Sequence, residues 1–354
     1  MALAGVAILG PAPTPAVSTL TPPSSASFYT VEPLDGRLLL SGPDTHGNGC
    51  AWLVVNPAPL SVRSSLHASC ERPPIAAHSV VAVQFPVTTA NAAKLRIARV
   101  SAKPGLVSFG PVVMTFNNVS DTHLEWTYGP GSLWIYDVAV ETSSGATRRG
   151  AEVLDVSTAT GRVVRTVSMP RLYEPLLAAD ADGLWIAASP ETGVGTPASV
   201  YRLAPGARAA RLVNRGGYAS IWLVAAGHTV WADVGSLRPH SSSIRQEIWR
   251  FDGPSGAAHP LASADELNAV TPAVQPGSAA LWTIDGVPSH GNYGLCPERH
   301  LVRIDAHSGR QTVTTTFQVP DEPCYSVEGQ TFVAGALYFL DDFSMPDKLY
   351  RVAP

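Results

Sequence analysis

The chain has 354 residues, of which 45% are hydrophobic and only 15% charged, with a net charge of −4. Globular domains carry about 25% charged residues, and no run of Lys or Arg here is long enough to follow a phosphate backbone, which argues against nucleic acid as a partner. Thirty-one prolines and 30 glycines, with no long stretch of apolar residues at i, i+3, i+4 and i+7, argue against a helical fold and predict an all-β chain of short strands and tight turns.

The N-terminus opens MALAGVAILG, a short apolar run, followed by the small-residue string Pro11 to Ala16. It resembles the apolar core and cleavage region of a signal peptide whose positive front is missing, since no basic residue precedes Arg37. Residues 1–15 are therefore expected to be the remnant of a signal peptide or an apolar tail. The mature protein is expected outside the cell or in the cell envelope. The run is too short to span a membrane, and no later segment comes close. All but three of the 24 basic residues are arginine, a usage associated with GC-rich bacteria.

From there the chain repeats itself. Two irregular units come first: FYTVEPLDGRLLLSG with AWLVVNPAPLSVRSS, then PPIAAHSVVAVQFP with KLRIARVSAKPGLVSFG. Five clearer units follow, each with one phrase: GSLWIYD, DGLWIAA, HTVWAD, AALWTID and GALYFLD. Their aromatic residues Trp134, Trp185, Trp231, Trp282 and Tyr338 are spaced by 51, 46, 51 and 56 residues. A second phrase follows each: EVLDVSTATGR, SVYRLAPGAR, EIWRFDGPSG, HLVRIDAHSGR and KLYRVAP. In four of the five a further strand-like run comes after the turn. Periods of about 40–50 residues with four short strands each predict a β-propeller. The count predicts a single propeller of seven four-stranded blades over residues 16–354. The last unit stops after its third strand, and AVSTLTPP, residues 16–23, has the composition of the other outer strands. It is expected to close the ring, because an unpaired edge invites aggregation.

On the DGLW, YRLAPGA and VRIDAHSGR phrases the chain resembles exported bacterial propellers of the YVTN, NHL-like and quinoprotein-like groups. The DG-x-LW phrase is also similar to that of streptogramin lyases. The resemblance implies the fold; no catalytic residue of those enzymes maps onto this chain.

In a four-stranded blade the second–third loop and the connection to the next blade lie on one face. Cys50 falls in such a loop of the first unit and Cys70 after its last strand; Cys296 and Cys324 repeat the arrangement in the sixth. Only the pairing Cys50–Cys70 with Cys296–Cys324 keeps each bridge local, and an exported chain favours disulfides. The rival set of metal ligands, His46, Cys50, His290 and Cys296 in the HGNGC and HGNYGLC strings, fits no zinc spacing. Asp137, Asp233, Asp285 and Asp341 end the second strands on the same face. With Asp342 and the acids Glu71, Glu174, Asp265, Glu266, Asp321 and Glu322, they suggest an acidic collar suited to Ca2+ or a cationic ligand. His46 and His290 join them as candidate ligand-binding residues, though neither has a sequence-evident partner for general-base work. Aspartates at strand ends also cap turns. The recurring tryptophans read as packing between blades. Arg202, Arg250, Arg303 and Arg351, matched in the third strands, read as bonds to neighbouring blades. GxSxG, HExxH, Walker and GxGxxG patterns are all missing from the sequence. The expected function is a monomeric binding or scaffold module for a protein, a glycan or a small ligand. The alternative is a metal-assisted lyase or a quinoprotein-like enzyme using the acidic face.

Overall fold

The computed structural model describes residues 17–23, 27–28, 30–43, 49–69, 75–77, 80–86, 93–100, 107–116, 122–139, 151–170, 172–190, 199–215, 218–237, 244–263, 271–278, 280–287, 298–319, 327–341 and 348–354. The first strand in the chain is β1 (Val17–Leu20). Sheet one holds β2 (Thr30–Leu34), β3 (Arg37–Pro43), β4 (Gly49–Pro57) and β5 (Leu60–Ser69). Sheet two holds β6 (Ile75–Ala77), β7 (Val80–Pro86), β8 (Ala93–Val100) and β9 (Val107–Phe116). Sheet three holds β10 (Thr122–Gly129), β11 (Ser132–Ala139), β12 (Ala151–Ser157) and β13 (Val163–Met169). Sheet four holds β14 (Leu172–Asp180), β15 (Gly183–Pro190), β16 (Ser199–Leu203) and β17 (Arg211–Arg215). Sheet five holds β18 (Tyr218–Ala226), β19 (Thr229–Leu237), β20 (Ile244–Asp252) and β21 (Ala258–Ser263). Sheet six holds β22 (Ala273–Val274), β23 (Ala280–Val287), β24 (Glu298–Asp305) and β25 (Gln311–Gln318). The last sheet holds β26 (Val327–Val333), β27 (Ala336–Asp341) and β28 (Lys348–Val352), with β1 as its fourth strand. The first six sheets are antiparallel meanders, and in the last β1 pairs antiparallel with β28, Val17 opposite Val352 and Leu20 opposite Leu349.

The described chain is all-β, and its sheets stack face to face as propeller blades do. The aromatic phrase forms the second strand of five sheets. Its strict alternation sends successive side chains to opposite neighbours. Trp134 and Tyr136 pack with Leu184 and Ile186 of sheet four, whereas Leu133 and Ile135 pack with Leu95 and Ile97 of sheet two. Trp185 packs with Val230 and Phe251 of sheet five, Trp231 with Leu281 and Ile304 of sheet six. Trp282 packs with Phe332 and Leu337 of the last sheet, and Tyr338 with Leu38 and Leu53 of sheet one. The core is thus a series of interfaces, each shared by two sheets. The first strands β2, β10, β14, β18, β22 and β26 contact first strands of adjacent sheets, which places them innermost.

Two kinds of turn close the hairpins on one face. Asp35–Gly36 and Ala334–Gly335 have positive φ at both residues, as a two-residue hairpin loop with the twist of its strands requires. The third–fourth strand turns STATG, DGPSG and DAHSG close by a bond from the glycine N–H to the first residue's carbonyl: Gly161 to Ser157, Gly256 to Asp252 and Gly309 to Asp305. Asp305 caps its own turn, Oδ1 accepting from the N–H of His307 and Ser308 and the hydroxyl of Ser308, which holds its carboxyl below the ordinary range.

Those turns receive the latches between sheets. Arg165 stands over the Trp134 ring at 5.3 Å and donates to the Ala207 carbonyl of sheet four at 2.7 Å. Arg202 stands over Trp185 at 5.7 Å and donates to the Pro254 carbonyl of sheet five at 2.8 Å. The Trp231 indole N–H donates to Ala306 of sheet six at 2.9 Å. The Tyr338 hydroxyl accepts from Arg351 at 3.2 Å and donates to Pro57 of sheet one at 3.0 Å. In sheet three the matched third-strand position is Asp155, and Arg165 from the opposing outer strand pairs with it at 3.2 Å and takes the arginine's place. Arg250 instead faces Asp252 of its own sheet at 3.6 Å.

Candidate functional site: buried carboxylates and a cleft among three turns

The four aspartates that the sequence suggests as a collar are placed by strand parity. Asp137, Asp285 and Asp341 stand three residues after their aromatic, but Asp233 stands two after Trp231, so it faces the other way. Asp137 shares the parity of Leu133 and Ile135 and is directed toward sheet two. Asp233 shares that of Trp231, toward sheet six, and Asp285 that of Leu281, toward sheet five. Asp341 shares the parity of Leu337 and Phe339, toward sheet six. Arg299, with the parity of Leu301, is directed into that same interface from the other side. Asp233, Asp341 and Arg299 are each 1% exposed. The set is therefore distributed over three interfaces between sheets rather than gathered around one point. Among the described residues no three His, Cys, Asp or Glu side chains are grouped to hold a metal ion.

His46, His290, Cys70, Cys296 and Cys324 lie outside the described residues, as do Glu71, Asp265, Glu266, Asp321, Glu322 and Asp342. Cys50 is the second residue of β4, not in the loop before it, opposite Ala68 of β5. Glu174 falls within β14.

Burial pushes Asp233 from the ordinary 3.8 up to about 7. Between these two values the folded protein keeps a proton that the unfolded chain has released. Stability is therefore full below about pH 4 and falls as pH rises toward 7. Glu32 in innermost β2 is pushed by burial to about 8, which carries the same sign. We expect Asp233→Asn to flatten the decline in denaturation midpoint between pH 4.5 and 8, recovering at most about 4 kcal/mol at the upper end. An unchanged slope would mean that Asp233 does not carry this pH dependence.

The described residues also form a cleft on the opposite face, which sequence reading does not anticipate. Its volume is about 470 Å3, and its walls are three consecutive first–second strand turns. They are Gly129–Gly131 of sheet three, Ala179–Ala181 of sheet four and Ala225–Gly227 of sheet five, joined by Tyr128 and Thr158. Small residues at these turns leave the space open. Asp180, the last residue of β14, is 6% exposed. Its Oδ1 accepts the Asp182 N–H at 2.8 Å, and its Oδ2 is buried with no hydrogen-bond partner among the described residues. Burial foremost pushes its carboxyl up to about 6, Asp182 adds to this, and the Asp182 N–H, His228 and Arg202 oppose it. Asp182 is itself engaged, its Oδ2 lying 2.8 Å from His228 Nδ1 of the neighbouring turn, while its carbonyl accepts from Arg202 at 3.2 Å. The one sequence trace of this arrangement is the string ADADG ahead of the LW phrase, where two acids stand at a hairpin turn.

Neither a protein-family model nor a curated protein matches the sequence. Solved structures do resemble the fold. The chain is similar to oligogalacturonate lyase from Vibrio parahaemolyticus (11% identity, TM-score 0.58, covering 96% of this chain and 97% of that one). It is similar to the Pan2 WD40 domain of Neurospora crassa (13%, 0.55, 93% and 90%). It is also similar to the β-propeller domain of the Trilobed protease from Pyrococcus furiosus (9%, 0.55, 92% and 93%). A WD40 domain, the propeller domain of a protease and a lyase are thus among them. At these identities the likeness establishes a β-propeller, and nothing finer.

Proposed function

We propose that the chain is an exported binding module, a seven-bladed propeller whose ring is closed by β1 and whose second–third strand loops take a protein or glycan partner. Closure is supported by the β1–β28 ladder and by the Tyr338 bond to Pro57, which joins the last sheet to the first. The observation that carries the binding reading is the inequality of the two faces. First–second strand turns are mostly two residues, as at 35–36, 130–131, 181–182, 227–228 and 334–335. The second–third strand connections span 140–150, 191–198, 238–243, 288–297 and 342–347, and they differ in both length and sequence. A rigid scaffold that keeps one face minimal and diversifies the other puts its recognition on the diverse loops. We propose Cys50–Cys70 and Cys296–Cys324 bridges as staples of the loops, and Ca2+ as a candidate ion there.

The enzyme reading rests on the lyase among the similar folds, and fold alone does not carry activity. Incubating the oxidised protein with oligogalacturonate, with and without Mn2+, decides between them when followed by the absorbance of unsaturated products. The binding reading predicts no product under either condition, together with retention on a glycan array or a protein partner. Metal-dependent product formation would overturn it in favour of the lyase.

A further inference from the structure

We propose that β25, the outer strand of sheet six, is a self-association edge: it pairs antiparallel with β25 of a second copy of this chain and joins two propellers rim to rim. β25 ends its sheet, with β24 as its one hydrogen-bonded neighbour among the described strands. Proteins protect such edges with charges, prolines or very short strands. The outer strands of the first five sheets carry such residues: Arg63 in β5, Pro111 in β9, Arg165 in β13, Arg211 in β17 and Pro260 in β21. The outer strand of the last sheet, β1, is only four residues long. β25 reads QTVTTTFQ, eight residues without a charge, a proline or a glycine, and its threonines, valine and phenylalanine favour the extended chain. Thr315 and Phe317 face inward, while the other side chains are exposed, Val313 by 52%. The bulge at Thr314 does not set this strand apart, because the outer strand of each of the first six sheets shifts register against its neighbour.

Two arguments name a second copy as the occupant. A two-fold contact sets residues near its axis against their own copies, so a charge there repels itself, and β25 has none. In sequence the strand lies between Arg310 and the pair Asp321 and Glu322. Antiparallel self-pairing therefore runs the basic end of each strand toward the acidic end of the other. β25 also starts at the face of the short turns and runs toward the face of the long loops. The two copies thus present their loop faces in opposite directions, and both stay open to the partner proposed above, on which this contact does not depend. An edge contact alone buries less than about 1,200 Å2, so a weak dimer is expected, with a dissociation constant above about 1 µM.

The test is sedimentation velocity of the full chain from about 1 µM to about 1 mM. A reversible dimer and no larger species is expected. Thr316→Lys and Thr316→Glu, at an exposed position of β25, should each weaken the dimer at least tenfold and keep the melting midpoint. Mixing the two variants should restore it, because lysine then meets glutamate across the axis. Val164→Lys, at a position of β13 that is 67% exposed, should leave the dimer unchanged. A monomer throughout, a dimer that both Thr316 variants leave intact, an equal loss with Val164→Lys, or no recovery on mixing would each overturn the proposal.

Discussion

Removing residues 1–20 should lower the stability of the propeller by roughly 5 kcal/mol, the sum of a four-residue ladder and two half-buried apolar side chains. Val17 packs against the core between sheets six and seven, and Leu20 against the core between sheets seven and one. Without β1 the outer edge of β28 loses its partner, and an exposed edge recruits other chains. The truncated protein should therefore melt earlier and associate with itself. A synthetic AVSTLTPP peptide added in trans should recover much of the midpoint. Removing only residues 1–15 should leave it unchanged. If the longer truncation melted like the full chain, β1 would not be part of the cooperative fold.

Trp185→Ala is the point substitution with the largest expected cost. The side chain is fully buried, its ring 5.8 Å from Phe251 across the interface between sheets four and five. Truncating a buried aromatic of this size costs about 3–5 kcal/mol through lost contacts and the cavity left behind. Here the loss extends to Arg202, which uses the indole as a platform while it reaches Pro254. Trp185→Phe keeps the platform in part and should cost less than half as much. The check is the urea midpoint at constant m-value. A loss under about 1.5 kcal/mol for the alanine variant would mean the interface recloses around the gap.

Much of the fold was legible because the second and third strands carry a repeated phrase whose alternation and spacing are imposed by two neighbouring sheets. The tryptophans read as inter-sheet packing, and that is where Trp134, Trp185, Trp231 and Trp282 lie. Arg202 reaches a carbonyl of the neighbouring sheet as expected, whereas Arg250 stays within its own. The innermost strands were harder to see. LYEPLLAAD, YASIWLVAA and the two-residue β22 share no phrase, because each meets a different surrounding near the axis. The aspartates looked equivalent because each follows an aromatic, yet one residue of spacing sends Asp233 to the opposite interface from the others' register. The cleft was invisible for a different reason. Its walls come from three turns that are distant in the chain, and a lone acid in a hairpin turn reads as a cap.

The proposed partner face can be tested directly by replacing 140–150 and 288–295 with Gly/Ser segments of equal length, which leaves Cys296 in place, and comparing glycan-array and protein-partner retention with that of the native chain and of Ala181→Trp. The loop-replaced protein is expected to keep its melting midpoint and lose retention, while Ala181→Trp, on the other face, keeps both. Retention that survives loop replacement would contradict it.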